Sequence, residues 1–84
     1  MRSIDKKFGK MLRLDFDIKD NKLVYIKISG DFFIHPEDAI DAIEELILNK
    51  DLNDIEGLLN DYVINNQIKI VGFSVSEFVS VLKS

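Results

Sequence analysis

Hydrophobic and polar side chains alternate along the first third of the chain. The apolar positions of one parity are Phe8, Leu12, Leu14, Phe16 and Ile18. The positions between them, from Arg13 to Lys19, are charged. A period of two is typical of a strand that buries one face. Turn-forming residues follow at 19–22, and Val24, Ile26 and Ile28 then resume the pattern. The pattern predicts a β-hairpin with these side chains pointing inward.

Helical spacing replaces the alternation after a short break. Gly30 is suited to a bulge or a bend, and residues 31–34 indicate a short third strand or an extension of the second. Pro36 fits the first position of a helix, whose apolar stripe is Ala39, Ile40, Ile43, Leu46 and Ile47. A second helix is predicted from about Asp54 to Val63. Residues 68–73 predict a short strand or extended segment, and Ser74 and Glu77 have capping-box spacing at the start of a third helix.

The element order predicts one domain of the α+β class that spans residues 1–84. A small antiparallel sheet, made of the hairpin and a short third strand, carries about three helices on one face. A hairpin alone is only marginally stable, so the helices must cover its apolar face.

Composition narrows the classes of protein. The 84 residues include no cysteine, which excludes disulfides and thiolate metal sites. The single histidine, His35, excludes any site that needs two imidazoles. No apolar run approaches the roughly 20 residues of a membrane span, and the first residues lack the apolar stretch of a signal peptide. The sequence therefore predicts a cytosolic protein.

Charge is distributed unevenly along the chain. Residues 1–27 carry eight basic and four acidic side chains, whereas residues 37–61 carry nine acidic side chains and only Lys50. The acidic half is either a solvated helical face or a surface that attracts a basic partner. Nucleic acid binding is not indicated, because basic and aromatic residues are not concentrated on one element.

Two groups of residues invite a catalytic interpretation. Asp15 and Asp17 share one strand face, and His35 follows Asp31 closely, as a base follows an orienting acid. Alternating acids on a solvated strand face are a better explanation of the first group, and a histidine that caps or flanks the start of a helix is a better explanation of the second. With no nucleophile beside His35, the sequence does not predict catalysis by this chain alone.

The open face of the predicted sheet carries Met11, Tyr25 and Phe33. These side chains are either scattered surface hydrophobes or parts of a docking patch. A bulge at Gly30 would instead bury Phe33 in place of Phe32. The sequence leaves this choice open.

Residues 9–47, with "GDFF" followed by "HPE" and an acidic helix, resemble the C-terminal accessory domain of lipoate–protein ligases. The ending "VGFSVSEFVSVLKS" is similar to that family's closing cap and helix, and the resemblance is weakest at 49–66. It implies a separate, non-catalytic small subunit whose large partner uses ATP and lipoate, with Mg²⁺, to form lipoyl-AMP before transfer to a lysine. This chain would bind no cofactor itself. The implied contact with the partner comprises Gly30, Asp31, Phe32, Phe33, His35 and Pro36, to which the open face adds Met11 and Tyr25.

The hairpin-then-helix order also resembles the fold of iron–sulfur cluster scaffolds. Those scaffolds hold clusters through cysteines, which this chain lacks, so only the fold would be shared. A generic acidic adaptor for an unrelated basic partner is the alternative function.

Overall fold

The computed structural model describes residues 1–84, which form five strands and three helices. In chain order the elements are β1 (Arg2–Lys7), β2 (Met11–Lys19), β3 (Lys22–Gly30), β4 (Phe33–His35), α1 (Ala39–Ile47), α2 (Leu52–Asn65), β5 (Lys69–Val71) and α3 (Val75–Leu82). The fold is α+β, as the sequence predicts.

The main sheet has three antiparallel strands in the order β1-β2-β3. Asp20 and Asn21 make the predicted hairpin turn, with φ values of 54° and 62°, because a tight hairpin turn needs the left-handed backbone that Asn and Asp tolerate. The strand β1 was not expected. It contributes only Ile4 to the packed side of the sheet, so its sequence shows no apolar alternation.

The inward position predicted for Val24 is wrong. Val24 is 39% exposed, whereas Leu23 is fully buried. The register shifts at this point, since Ile18 pairs with Leu23 and Asp17 pairs with Tyr25. Val24 is therefore the extra residue of a β-bulge, and the bulge reverses the parity of the strand.

The outer edge of β3 is bonded to two segments outside the sheet. The Leu23 N–H donates to the Lys50 carbonyl at 3.0 Å. Farther along, the Ile28 N–H donates to Glu44 Oε2 at 2.7 Å. The edge is thus covered near both of its ends.

The short strand after Gly30 does not join the main sheet. β4 pairs with β5 in a separate two-stranded antiparallel sheet, here called the ribbon. β5 was predicted as a short strand from residues 68–73. Its pairing with β4 was not predictable, because the two strands are separated by two helices.

Pro36 was predicted to be the first residue of a helix, and this prediction is wrong. Pro36 lies in a turn where its carbonyl accepts the Ala39 N–H at 3.0 Å, and α1 begins at Ala39. The helix α2 is longer than predicted at both ends, and the Asp51 side chain caps it by accepting the Asn53 N–H at 2.9 Å. The capping box of α3 is confirmed, with Ser74 and Glu77 each accepting the other's backbone N–H.

The core lies between the main sheet and the helices. Its buried members from the sheet are Leu12, Leu14, Phe16, Leu23, Ile26 and Ile28, and those from the helices are Ile43, Ile47, Leu52, Ile55, Leu59, Phe78, Val79, Val81 and Leu82. The two chain ends meet at the edge of this layer, where the Arg2 guanidinium donates to the Ser84 carbonyl and lies 5.2 Å from the centre of the Phe16 ring. None of the helices is long and apolar enough to cross a membrane.

Candidate partner interface

The chain turns sharply where the main sheet ends and the ribbon begins. Gly30 has a φ of 142°, and a Cβ at this position would lie 2.2 Å from the Met11 carbonyl oxygen. Asp31 is bonded to both backbone groups of Met11. The Asp31 N–H donates to the Met11 carbonyl at 3.2 Å, and the Asp31 carboxylate accepts the Met11 N–H at 2.6 Å. Gly30 still pairs with Leu12 in the sheet, so it forms a bend and not a bulge.

This bend decides which of the adjacent phenylalanines is buried. Phe32 is half-buried and packs edge-on against Phe73, with ring centres 5.0 Å apart. Phe73 stacks in turn on the buried Phe78 at 6.0 Å. Phe33 is 68% exposed. Phe32 is therefore the anchor, and the alternative that buries Phe33 is wrong.

The ribbon gives Phe33 an apolar neighbour that the sequence reasoning missed. Phe33 pairs with Val71, and His35 pairs with Lys69. At the position between these two pairs, Ile34 pairs with Ile70. Side chains alternate between the faces of a strand, so the half-buried isoleucines face the helices and the other four residues face outward. Val71 is 45% exposed. Val71 and Lys69 are two positions apart in the sequence and so share one face of a strand. This spacing is the signal that could have identified Val71 as an outward-facing residue.

The other predicted contact residues lie in different places. Met11 is 40% exposed and adjoins the bend through its bonds to Asp31. Pro36 is exposed and directly follows the ribbon. Tyr25, also 40% exposed, lies near the opposite end of the main sheet, where it pairs with Asp17. The structure thus brings the bend and ribbon residues together and leaves Tyr25 apart from them.

Charged side chains cover the open face of the main sheet between Met11 and Tyr25. Arg13 lies 3.4 Å from the Asp15 carboxylate and 3.9 Å from that of Asp5. The Ser3 hydroxyl donates to Asp15 at 2.6 Å. That bond, aided by Arg13 and Lys27, outweighs partial desolvation and lowers the pKa of Asp15. Asp15 is thus a stabilised carboxylate within a surface ion network.

The apolar pocket in the core is too small for a substrate. It has a volume of about 10 Å³ and is lined only by hydrophobic side chains, among them Ile28, Leu59 and Phe73. A shallow open groove is lined by the end of β3, by Phe33 and Ile34 of the ribbon, and by Glu37 and Ile40. No three His, Asp or Glu side chains are placed together to hold a metal ion.

Comparison with known proteins assigns nearly the whole chain to one family. A family model described as the bacterial lipoate protein ligase C-terminus matches residues 3–82. A curated relative, lipoate-protein ligase A subunit 2 of Thermoplasma acidophilum, is 29% identical over 73 residues, which is 87% of this chain and 77% of that protein.

A solved structure from the same organism is also similar. It comes from a structural analysis of an archaeal lipoylation system, a bipartite lipoate protein ligase and its E2 lipoyl domain. The matching chain superposes with a TM-score of 0.85 at 29% identity, over 98% of this chain and 93% of that one.

Proposed function

The chain belongs to the lipoate–protein ligase C-terminal family, and from this premise we propose that it is the small accessory subunit of a two-chain lipoate–protein ligase. The observation that carries the proposal is the agreement between the family match and a relative known as the second subunit of such an enzyme. The similarity extends over nearly the whole fold of a chain from a bipartite ligase.

In this proposal the large subunit carries out the chemistry in the cytosol. It binds ATP and lipoate, with Mg²⁺, forms lipoyl-AMP and pyrophosphate, and then transfers the lipoyl group to a lysine of an acceptor domain. The small subunit binds none of these molecules. It supports activation by binding the large subunit and favouring the conformation that is competent for adenylation, since a partner stabilises the state that it binds best.

The site chemistry of this chain is consistent with a supporting role. The ion network around Asp15 lowers the pKa of its carboxyl, which makes it unsuited as a general acid and a weaker general base near neutral pH. His35 lies in the ribbon opposite Lys69, on the outward face. The exposed apolar pair of the ribbon, by contrast, is suited to contact with another protein.

Lipoate-dependent exchange between ATP and pyrophosphate tests the proposal. We expect no exchange with the purified chain, weak exchange with the large subunit, and a marked increase when the two are mixed. An unrelated acidic protein of similar size is the control and should not raise the rate.

An unchanged exchange rate in the mixture would contradict the proposal. In that case, recovery of an unrelated basic protein on the immobilised chain, with binding that weakens steeply as salt rises, would support the generic acidic adaptor instead.

A further inference from the structure

The ribbon presents a small apolar surface that the fold itself does not use. Phe33 and Val71 are cross-strand partners on its outward face, and they are 68% and 45% exposed. We call these two residues the Phe33 patch. An aromatic side chain this exposed beside an exposed valine gains little from folding, whereas burial against a partner would stabilise a complex.

The patch rests on side chains that pack against the helices. Behind it, Ile34 and Ile70 face the helices, and Phe32 is fixed by its edge contact with Phe73. Backbone pairing on both strands holds Phe33 and Val71 in register. A side chain that is already oriented loses little conformational entropy on binding, which is a property of interface hot spots.

Charges beside the patch define the chemistry of the partner surface. Lys69 lies two residues from Val71 on the same face, with His35 opposite it. At the other end, the Lys10 N–H donates to the Gly72 carbonyl at 3.4 Å, and the Lys10 side chain lies against Gly72. Glu37 is the one acidic residue among those that line the adjoining groove. Lys10 and Lys69 thus border the β5 side of the patch, whereas the acidic Asp31 and Glu37 lie at the bend and in the groove. The β5 side is therefore basic, although the whole chain carries a net charge of −4.

A second copy of this chain is a poor occupant for the patch. Two-fold pairing through Phe33 would bring the lysines beside the patch from both copies into one interface. Like charges across an interface oppose association. The fitting occupant is a different protein with an apolar pocket and carboxylates at its margin.

We infer that the Phe33 patch is the surface through which this chain docks onto the large catalytic subunit, with Phe33 inserted into an apolar pocket that has an acidic rim. The inference rests on the proposed function and specifies its contact. It gives Val71 and Lys69 roles in the complex, and it excludes Tyr25, which lies near the far end of the main sheet.

Matched aspartate substitutions test the inference. Phe33→Asp and Val71→Asp should keep the cooperative melting expected of the wild-type chain, but bind the large subunit at least about 30-fold and about 10-fold more weakly. Val24→Asp is the control, because Val24 is also a strand valine, is 39% exposed, and lies near the opposite end of β3. It should change the dissociation constant by less than about threefold. Isothermal titration calorimetry with the large subunit provides all three affinities.

A charge reversal tests the partner chemistry separately. Lys69→Glu should slow association and reduce its salt dependence, because charges at the rim of an interface act mainly on the on-rate. Faster association of this variant would contradict the inference that the partner's pocket has an acidic rim.

The other outcomes separate the inference from the proposed function. If the wild-type chain stimulates exchange but Phe33→Asp and Val71→Asp bind as tightly as Val24→Asp does, the docking surface is wrong and the accessory role stands. Loss of cooperative melting in both patch variants would show that the patch stabilises the fold, and would overturn the inference. Dimerisation of the free chain that both variants abolish would assign the patch to a second copy. Failure of the wild-type chain to bind the large subunit would overturn the docking surface and the accessory role together.

Discussion

At the scale of single residues, one glycine determines how the candidate interface is presented. Gly30 has a φ of 142°, and its Cα approaches the Met11 carbonyl so closely that no side chain fits. Asp31 then bonds to both sides of the Met11 backbone. Phe32 and Phe33 follow directly, so the bend sets which of them enters the core. The sequence indicated an irregularity at Gly30, but the deciding contact joins residues 19 positions apart, which a local pattern does not encode.

Replacement of Gly30 by alanine should lower the free energy of unfolding by about 2 kcal/mol or more, because the new Cβ would combine backbone strain with a clash against backbone atoms. Gly57→Ala is the matched control. Gly57 lies within α2 with open space around its Cα, so alanine at this position should raise the free energy of unfolding by about 0.5–1 kcal/mol. Urea unfolding of both variants measures the two effects, and a loss of stability in Gly57→Ala equal to that in Gly30→Ala would contradict this explanation.

At the scale of elements, β3 shows how a helix protects the edge of a sheet. An open edge offers unpaired backbone groups to other chains. Here the carboxylate of Glu44, on α1, accepts the Ile28 N–H at 2.7 Å, and the segment before α2 bonds to Leu23. One of the acidic side chains of α1, that of Glu44, therefore protects the sheet edge, besides any role of these side chains in solvation or in attracting a basic partner.

Glu44→Ala should destabilise the fold by about 1–2 kcal/mol, because a hydrogen bond to a charged group is lost and the Ile28 N–H is left without its partner. Glu45→Ala removes the same charge from the next, exposed position and should change stability by less than about 0.5 kcal/mol. Thermal melting at matched pH and salt compares the two. Equal effects would mean that the loss of negative charge, and not the bond to the sheet edge, controls stability.

Periodicity predicted those elements in which one face is clearly apolar. Both strands of the hairpin, all three helices and the capping box of α3 were predictable on that basis. The strand β1 was not, because Ile4 is its only side chain packed on the core. Val24 was assigned to the wrong face, because a bulge reverses parity without any glycine or proline to mark it. The ribbon, and hence the partner of Phe33, depends on a pairing between residues more than 30 positions apart, so that half of the candidate site required the structure.

At the scale of the whole molecule, one core joins both ends of the chain. Buried residues from β2, β3 and every helix belong to a single cluster, and Phe32 and Ile34 of the segment that forms the ribbon pack against it. The ribbon has no separate core of its own, and a two-stranded sheet is only marginally stable by itself. Its stability should therefore follow that of the rest of the chain.

The chain should consequently unfold in one cooperative transition. Far-ultraviolet circular dichroism would follow the helices, and fluorine NMR of a chain labelled at its phenylalanines would follow Phe33 and Phe73 in the ribbon region. The two midpoints should coincide, as expected for a small single-core domain. Earlier loss of the Phe33 signal would instead identify the ribbon as a separately melting unit.

The hydrogen bond between Arg2 and Ser84 has a practical consequence. It places the two chain ends side by side, and Arg2 pairs with Phe16 whereas Lys7 pairs with Met11 at the bend. The ends are thus separated from the bend by the length of β1, roughly 16 Å at ~3.3 Å per residue. A fluorophore or purification tag on either terminus should leave the Phe33 patch uncovered. A short linker that joins the termini should likewise give a circular permutant with the Phe33 patch intact.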